Sequence, residues 1–91
     1  MNAKRSRMEI IHDILSVISK FQKAGPTKII YKANLSHQRF KEYMTLLEDG
    51  SFVERTSTKA HNYFILTLKG KEFLQKLGQV QELSEAFGLP I

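Results

Sequence analysis

The sequence predicts a mainly α fold with one β-hairpin (α+β), and three observations carry that prediction. Apolar residues recur at helical spacing in separate segments. Two β-prone runs, "FVERTS" and "NYFILT", lie close together with only "TKAH" between them. Glycine or proline marks most of the junctions, at Gly25, Pro26, Gly50, Gly88 and Pro90. At 91 residues the chain is long enough for one modest core and too short for two.

The first helix is expected from about Arg7 to Gln22. Ile11, Ile14, Leu15, Ile18 and Phe21 form its stripe, which Ile10 and Val17 widen. Residues 1–6 precede it as a flexible basic arm, with Lys4 and Arg5 continuing into Arg7. Gly25 suits the break after this helix, and Pro26 suits the first turn of the next. The second helix, Pro26 to Ala33, is short and turns Ile29 and Ile30 inward. Asn34 and Leu35 then make a turn.

Ser36 is placed to cap a third helix that runs to about Glu48. Leu35 and Phe40 fall at the two positions of a hydrophobic staple, which fixes the angle of chain entry. Phe40, Tyr43, Met44 and Leu47 are its buried stripe, and Gly50 is expected to end it in the left-handed conformation. Residues 52–67 follow as an antiparallel hairpin, which is too small to be stable unless it leans on the helices. Thr67 can cap a last helix from Leu68 to about Phe87, which Gly88 stops. At 1.5 Å per residue this helix is roughly 30 Å long. That exceeds one side of so small a core and leaves distal apolar residues without cover.

Charge is informative when divided by position. All fourteen Lys and Arg lie before Gly78 with seven of the nine acids, a balance of +7, whereas Glu82 and Glu85 alone follow it. The body suits a polyanion, and the last dozen residues do not. The absence of cysteine excludes disulfides, thiol catalysis and cysteine-ligated zinc, and fits a reducing cytoplasm. His12, His37 and His61 lie on different elements without ligand spacing, so neither a metal nor another cofactor is expected. No phosphate loop, nucleophile elbow or carboxylate pair points to an enzyme. The apolar stretch after the basic N-terminus is interrupted by Glu9, His12 and Asp13 and reads as neither leader nor membrane span.

One local choice runs against helix stability. The third helix opens with His37, Gln38 and Arg39 where acids would complement the dipole, a loss of roughly 0.3–1 kcal/mol per charge. A helix end that meets phosphate would have reason to accept that loss.

The order of helix, short helix, tight turn, capped helix, hairpin and long helix is the winged helix-turn-helix arrangement. "LSHQRFKEYMTLLEDGSFVER", with the later "YFILTLKGKEFLQKL", resembles the small archaeal winged-helix DNA-binding proteins. These include the ArnR-like regulators and the Sulfolobus 10a-type chromatin-associated proteins. The resemblance covers about Arg7 to Leu77. It implies a DNA-binding domain over residues 1–67 and, over 68–91, a C-terminal helix that joins two copies. Gly78 and the acidic tail favour a compact helix contact over a long coiled coil.

What the resemblance implies for the site can be set out by residue. The third helix would enter the major groove of double-stranded DNA, with Gln38 and Lys41 nearest base edges. Ser36 and Arg39 would meet phosphate, with Thr45 on the same outer side. His37 stands open between base contact and a plain surface position. Thr27 and Lys28 would sit over the backbone, and Arg55, Lys59 and His61 on the hairpin would follow the adjacent phosphates or minor groove. Phe73, Leu77, Val80, Leu83, Ser84 and Phe87 would form a homodimer interface, or else pack within the chain. The expectation is a cytoplasmic, nucleoid-associated regulator or architectural protein. The rival is an interaction module of a larger assembly that does not bind DNA.

Overall fold

The computed structural model describes residues 5–89. Its order is α1 (Arg7–Phe21), α2 (Pro26–Lys32), α3 (His37–Asp49), β1 (Val53–Ser57), β2 (Asn62–Leu66) and α4 (Leu68–Phe87). Every expected element is present, with bounds moved by a residue or two, and the fold is the winged helix-turn-helix one.

A capping box begins α1: Ser6 Oγ accepts from the Glu9 amide at 3.1 Å and Glu9 Oε1 accepts from the Ser6 amide at 2.7 Å. The bond from the Ser6 backbone, then that from its side chain, hold the Glu9 carboxyl below its ordinary pKa. Arg5 is tied as well, donating to Asp13 Oδ2 at 2.6 Å and to the Asn34 carbonyl at 2.8 Å. The flexible arm expected over residues 1–6 is therefore corrected for Arg5 and Ser6, which belong to the folded body; Lys4 lies outside the described residues.

The expected role of Gly25 is also corrected. Gln22 ends α1 at φ 67°, while Gly25 is extended and caps α2. The chain leaves the helix early because Ala24 must lie beside β2. There it exchanges backbone hydrogen bonds of 3.0 and 2.8 Å with Phe64. At the end of α3 the left-handed residue is Ser51, at φ 63°, and Gly50 stays right-handed. Gly50 is required for space: a Cβ there would lie 2.7 Å from a carbon of the Phe52 ring.

The hairpin pairs Val53 with Leu66 through to Ser57 with Asn62. Its inner residues Val53, Phe64 and Leu66 close the core made by Ile10, Ile14, Leu15 and Ile18 of α1, Ile29 of α2 and the α3 stripe. Phe64 meets Phe40 edge-on at 6.0 Å. With Leu35 also buried, the Leu35 and Phe40 positions both pack onto this core, as the staple spacing predicts.

The start of α4 is clasped to the loop between α3 and β1. Thr67 Oγ1 accepts from the Gly70 amide at 3.0 Å and donates to the Ser51 carbonyl at 2.6 Å. The Thr67 amide donates to the Phe52 carbonyl at 3.2 Å, and Lys69 Nζ to that of Gly50 at 2.7 Å. Phe73 then packs on Phe52 with ring centroids 5.1 Å apart, and Leu77 is buried.

Leu77 is thus buried and Phe73 half-buried within the chain itself, the second of the two alternatives expected for them. Their half of α4 leans on α1 and the hairpin. Val80, Leu83 and Phe87 remain 49, 60 and 72% exposed. Ser84 is half-buried, in a groove with Arg5, Glu9 and His12. Gly88 is left-handed, and the Leu89 amide donates to the Ser84 carbonyl at 2.9 Å.

Gly78 sits inside α4 with nothing within 4 Å of where a Cβ would be. Gly78→Ala should raise stability by about 1 kcal/mol, a gain of about 4–8 °C in Tm by circular dichroism. An unchanged or lower Tm would mean that this stretch needs a bare backbone.

Candidate nucleic-acid interface

The outer side of α3 follows from its period. Once Phe40, Tyr43, Met44 and Leu47 turn to the core, the residues between them face outward. Ser36, His37, Gln38, Arg39, Lys41 and Thr45 are all exposed. Ser36 Oγ accepts from the Arg39 amide at 3.1 Å, the cap expected from the sequence, and no acid stands in the first turn. Gln38 Nε2 lies 3.5 Å from Glu42 Oε2, so its amide has a weak partner to give up before it meets anything else.

The start of the described chain brings cations beside this helix. Arg5 and Arg7 line a groove of about 500 Å³ with Arg39, Glu42, Tyr43 and Leu46. Arg5 falls within the stretch expected as a flexible arm, and Arg7 at the expected start of the first helix. The Ser-x-x-Glu spacing at 6–9 is the signal that fixes Ser6 as the cap of α1 and holds Arg5 beside it. Leu46, 51% exposed, is an apolar patch on the same side that the helical stripe did not include.

A second groove, of about 540 Å³, lies between α2 and the hairpin tip, where Thr27 and Lys28 meet His61. The tip is closed by the Thr58 amide, which donates to the His61 carbonyl at 2.8 Å, and by the His61 amide, which donates to Thr58 Oγ1 at 3.2 Å. Lys59 is exposed at the tip and makes no ion pair among the described residues. Arg55 is engaged: it pairs with Glu48 at 3.1 Å, and its guanidinium carbon is 5.1 Å from the Phe64 ring centroid. That pair ties the hairpin to the end of α3. It makes Arg55 a brace that still leaves half of its side chain exposed.

These grooves and faces present hydrogen-bond donors and positive charge to the solvent. Among the described residues no three His, Cys, Asp or Glu side chains are grouped to hold a metal ion. No described helix is long and apolar enough to cross a membrane.

The family model described as "Winged helix-turn-helix" matches residues 4–85. Two uncharacterized proteins of Methanocaldococcus jannaschii are similar over most of the chain. One is 34% identical over 82 residues, 90% of this chain; the other is 32% identical over 80 residues, 88% of it. The chain spans 36% of the first relative's own length and 77% of the second's. Among solved structures, that of "Sso10a-2, a DNA-binding protein from Sulfolobus solfataricus" superposes with a TM-score of 0.82 at 24% identity, covering 91% of this chain and 85% of that one.

Proposed function

The chain belongs to the winged helix-turn-helix family, and on that premise we propose that it binds double-stranded DNA as a homodimeric transcriptional regulator or architectural protein. The observation that carries this reading is the first turn of α3, exposed, free of acids and set beside a groove that Arg5 and Arg7 share with Arg39. The Sulfolobus protein of similar fold, described as DNA-binding, supports it.

In this reading α3 lies in the major groove. Gln38 and Lys41 reach base edges, His37 and Thr45 border them, and Ser36 and Arg39 hold phosphate. Thr27 and Lys28 meet the backbone together with His61 of the hairpin tip, and Arg55 and Lys59 extend the contact along the hairpin. The protein would act in the cytoplasm, on the nucleoid.

A pair of substitutions tests the division of labour. Arg39→Ala should weaken binding to every duplex alike. Gln38→Ala should alter preference among sequences by about 1–3 kcal/mol at one position. Fluorescence anisotropy on a panel of duplexes reads both, and equal loss on all sequences for Gln38→Ala would remove its base-reading role.

The exposed Val80, Leu83 and Phe87 support a two-fold contact through the distal half of α4, with Ser84 at its margin. Half-sites would then lie about 34–36 Å apart or at a multiple of that spacing. Val80→Glu combined with Phe87→Glu should give folded monomers by size exclusion with light scattering. A wild type already monomeric would end the dimer proposal. The same apolar face also favours a second reading, docking to a larger assembly without DNA. A folded dimer that ignores duplex DNA at low salt would select it.

A further inference from the structure

The groove between α2 and the hairpin tip has a composition that duplex binding does not account for. It holds about 540 Å³, within the range of small-ligand sites. Tyr31 borders it and is 78% exposed, an unusual position for a large ring on a folded helix. Tyr63 forms part of the opposite wall and keeps His61 at 5.9 Å, ring to ring. The charged groups around these rings are cations. Lys32 Nζ is 5.9 Å from the Tyr31 centroid, and Lys28 lines the groove. From outside it, Lys23 Nζ is 4.7 Å from the Tyr63 centroid. No carboxylate lines the groove.

The face of an exposed tyrosine finds no free base to stack on in a duplex, because paired bases are stacked on one another. Aromatic faces interleaved with ammonium groups suit an unstacked base with its phosphate attached. We propose that this groove binds a single unpaired nucleotide, its base against Tyr31 and its phosphate against Lys28 and Lys32. The nucleotide comes either from a single DNA strand or from the free monophosphate pool; the chemistry recognised is the same.

The proposal deepens the DNA-binding reading, since Thr27, Lys28 and His61 belong to both surfaces. A nucleotide in the groove would therefore compete with the duplex for Lys28 and His61. Tyr31, Lys32 and Tyr63 are specific to the groove, so the two readings can fail separately.

The test uses the intact protein at low salt with three probes: a labelled oligothymidylate, a blunt duplex, and free thymidine monophosphate. The oligothymidylate should bind, and Tyr31→Ala should weaken it about tenfold, the loss of one stacked base. Duplex affinity should change less than about twofold, a margin well inside that stacking loss. Tyr31→Trp should restore single-strand binding. Shifts of the Tyr31 and Tyr63 ring resonances with the monophosphate would assign the free nucleotide as a ligand, and shifts with the oligonucleotide alone would assign the strand. Equal loss on duplex and single strand for Tyr31→Ala, or none on either, would overturn the proposal. Single-strand binding that depends on Tyr31 without any duplex binding would leave the groove standing and remove the duplex reading.

Discussion

Gly70→Ala destabilises the fold by about 3 kcal/mol or more, lowering Tm by at least about 12 °C. A Cβ at this position would sit 2.0 Å from the Phe52 carbonyl oxygen and 3.0 Å from its carbon. Both are backbone atoms, so no side chain can rotate aside. The same oxygen accepts from the Thr67 amide at 3.2 Å, which prevents the loop from retreating without breaking the clasp. Either α4 shifts outward and Phe73 leaves Phe52, or the Thr67 bonds break; both sacrifice core. Thermal unfolding followed by circular dichroism checks the result, with Gly78→Ala as the matched control. The chemistry is identical and the helix is the same, yet the sign should reverse because Gly78 has open space around it. A loss under about 1 kcal/mol for Gly70→Ala, the low end for overpacking, would show that the loop can relax.

The second large effect concerns salt. If each subunit neutralises about five phosphates, log K should fall against log salt with a slope near −4.5 per subunit and about −9 for a dimer. Raising salt from about 50 to about 200 mM would then cost about 500-fold per subunit. Arg39→Ala should remove about one unit of that slope, because a phosphate contact contributes about 0.9. Binding isotherms on one nonspecific duplex at several salt concentrations give the slope directly. A slope near zero with binding intact would point to a complex held by stacking or apolar contact and would remove the electrostatic mechanism.

Signals that act within one turn of chain were legible in the sequence. Ser36, Thr67 and Gly88 end or begin their helices as expected because a cap needs only its own neighbours. Gly25 and Gly50 misled because their conformations answer to distant partners. Gln22 turns early so that Ala24 can pair with Phe64, and Gly50 makes room for the Phe52 ring. The α4 stripe shows the limit of periodicity. Phe73 and Val80 are both apolar at helical spacing, but only the packed hairpin decides that the first turns in and the second does not.

The candidate site divides along the same line. The outer side of α3 could be read directly, since four core residues at helical spacing leave only one direction for Gln38, Arg39 and Lys41. The tyrosine groove could not. Tyr31 belongs to a helix of seven residues, too short to show a face, and Tyr63 lies 32 positions later, on a strand. Their meeting depends on the Ala24 bridge.

That bridge has a bearing on how the protein behaves in a crowded solution. A two-stranded ribbon ordinarily offers two raw margins on which a neighbouring molecule's backbone could zip. Ala24 occupies the one along β2, and the other, along β1, is five residues long with Glu54 and Arg55 on it. So brief and charged a margin is a poor seed for intermolecular sheet. Many copies crowded together at high local concentration should stay dispersed and not knit into fibrils.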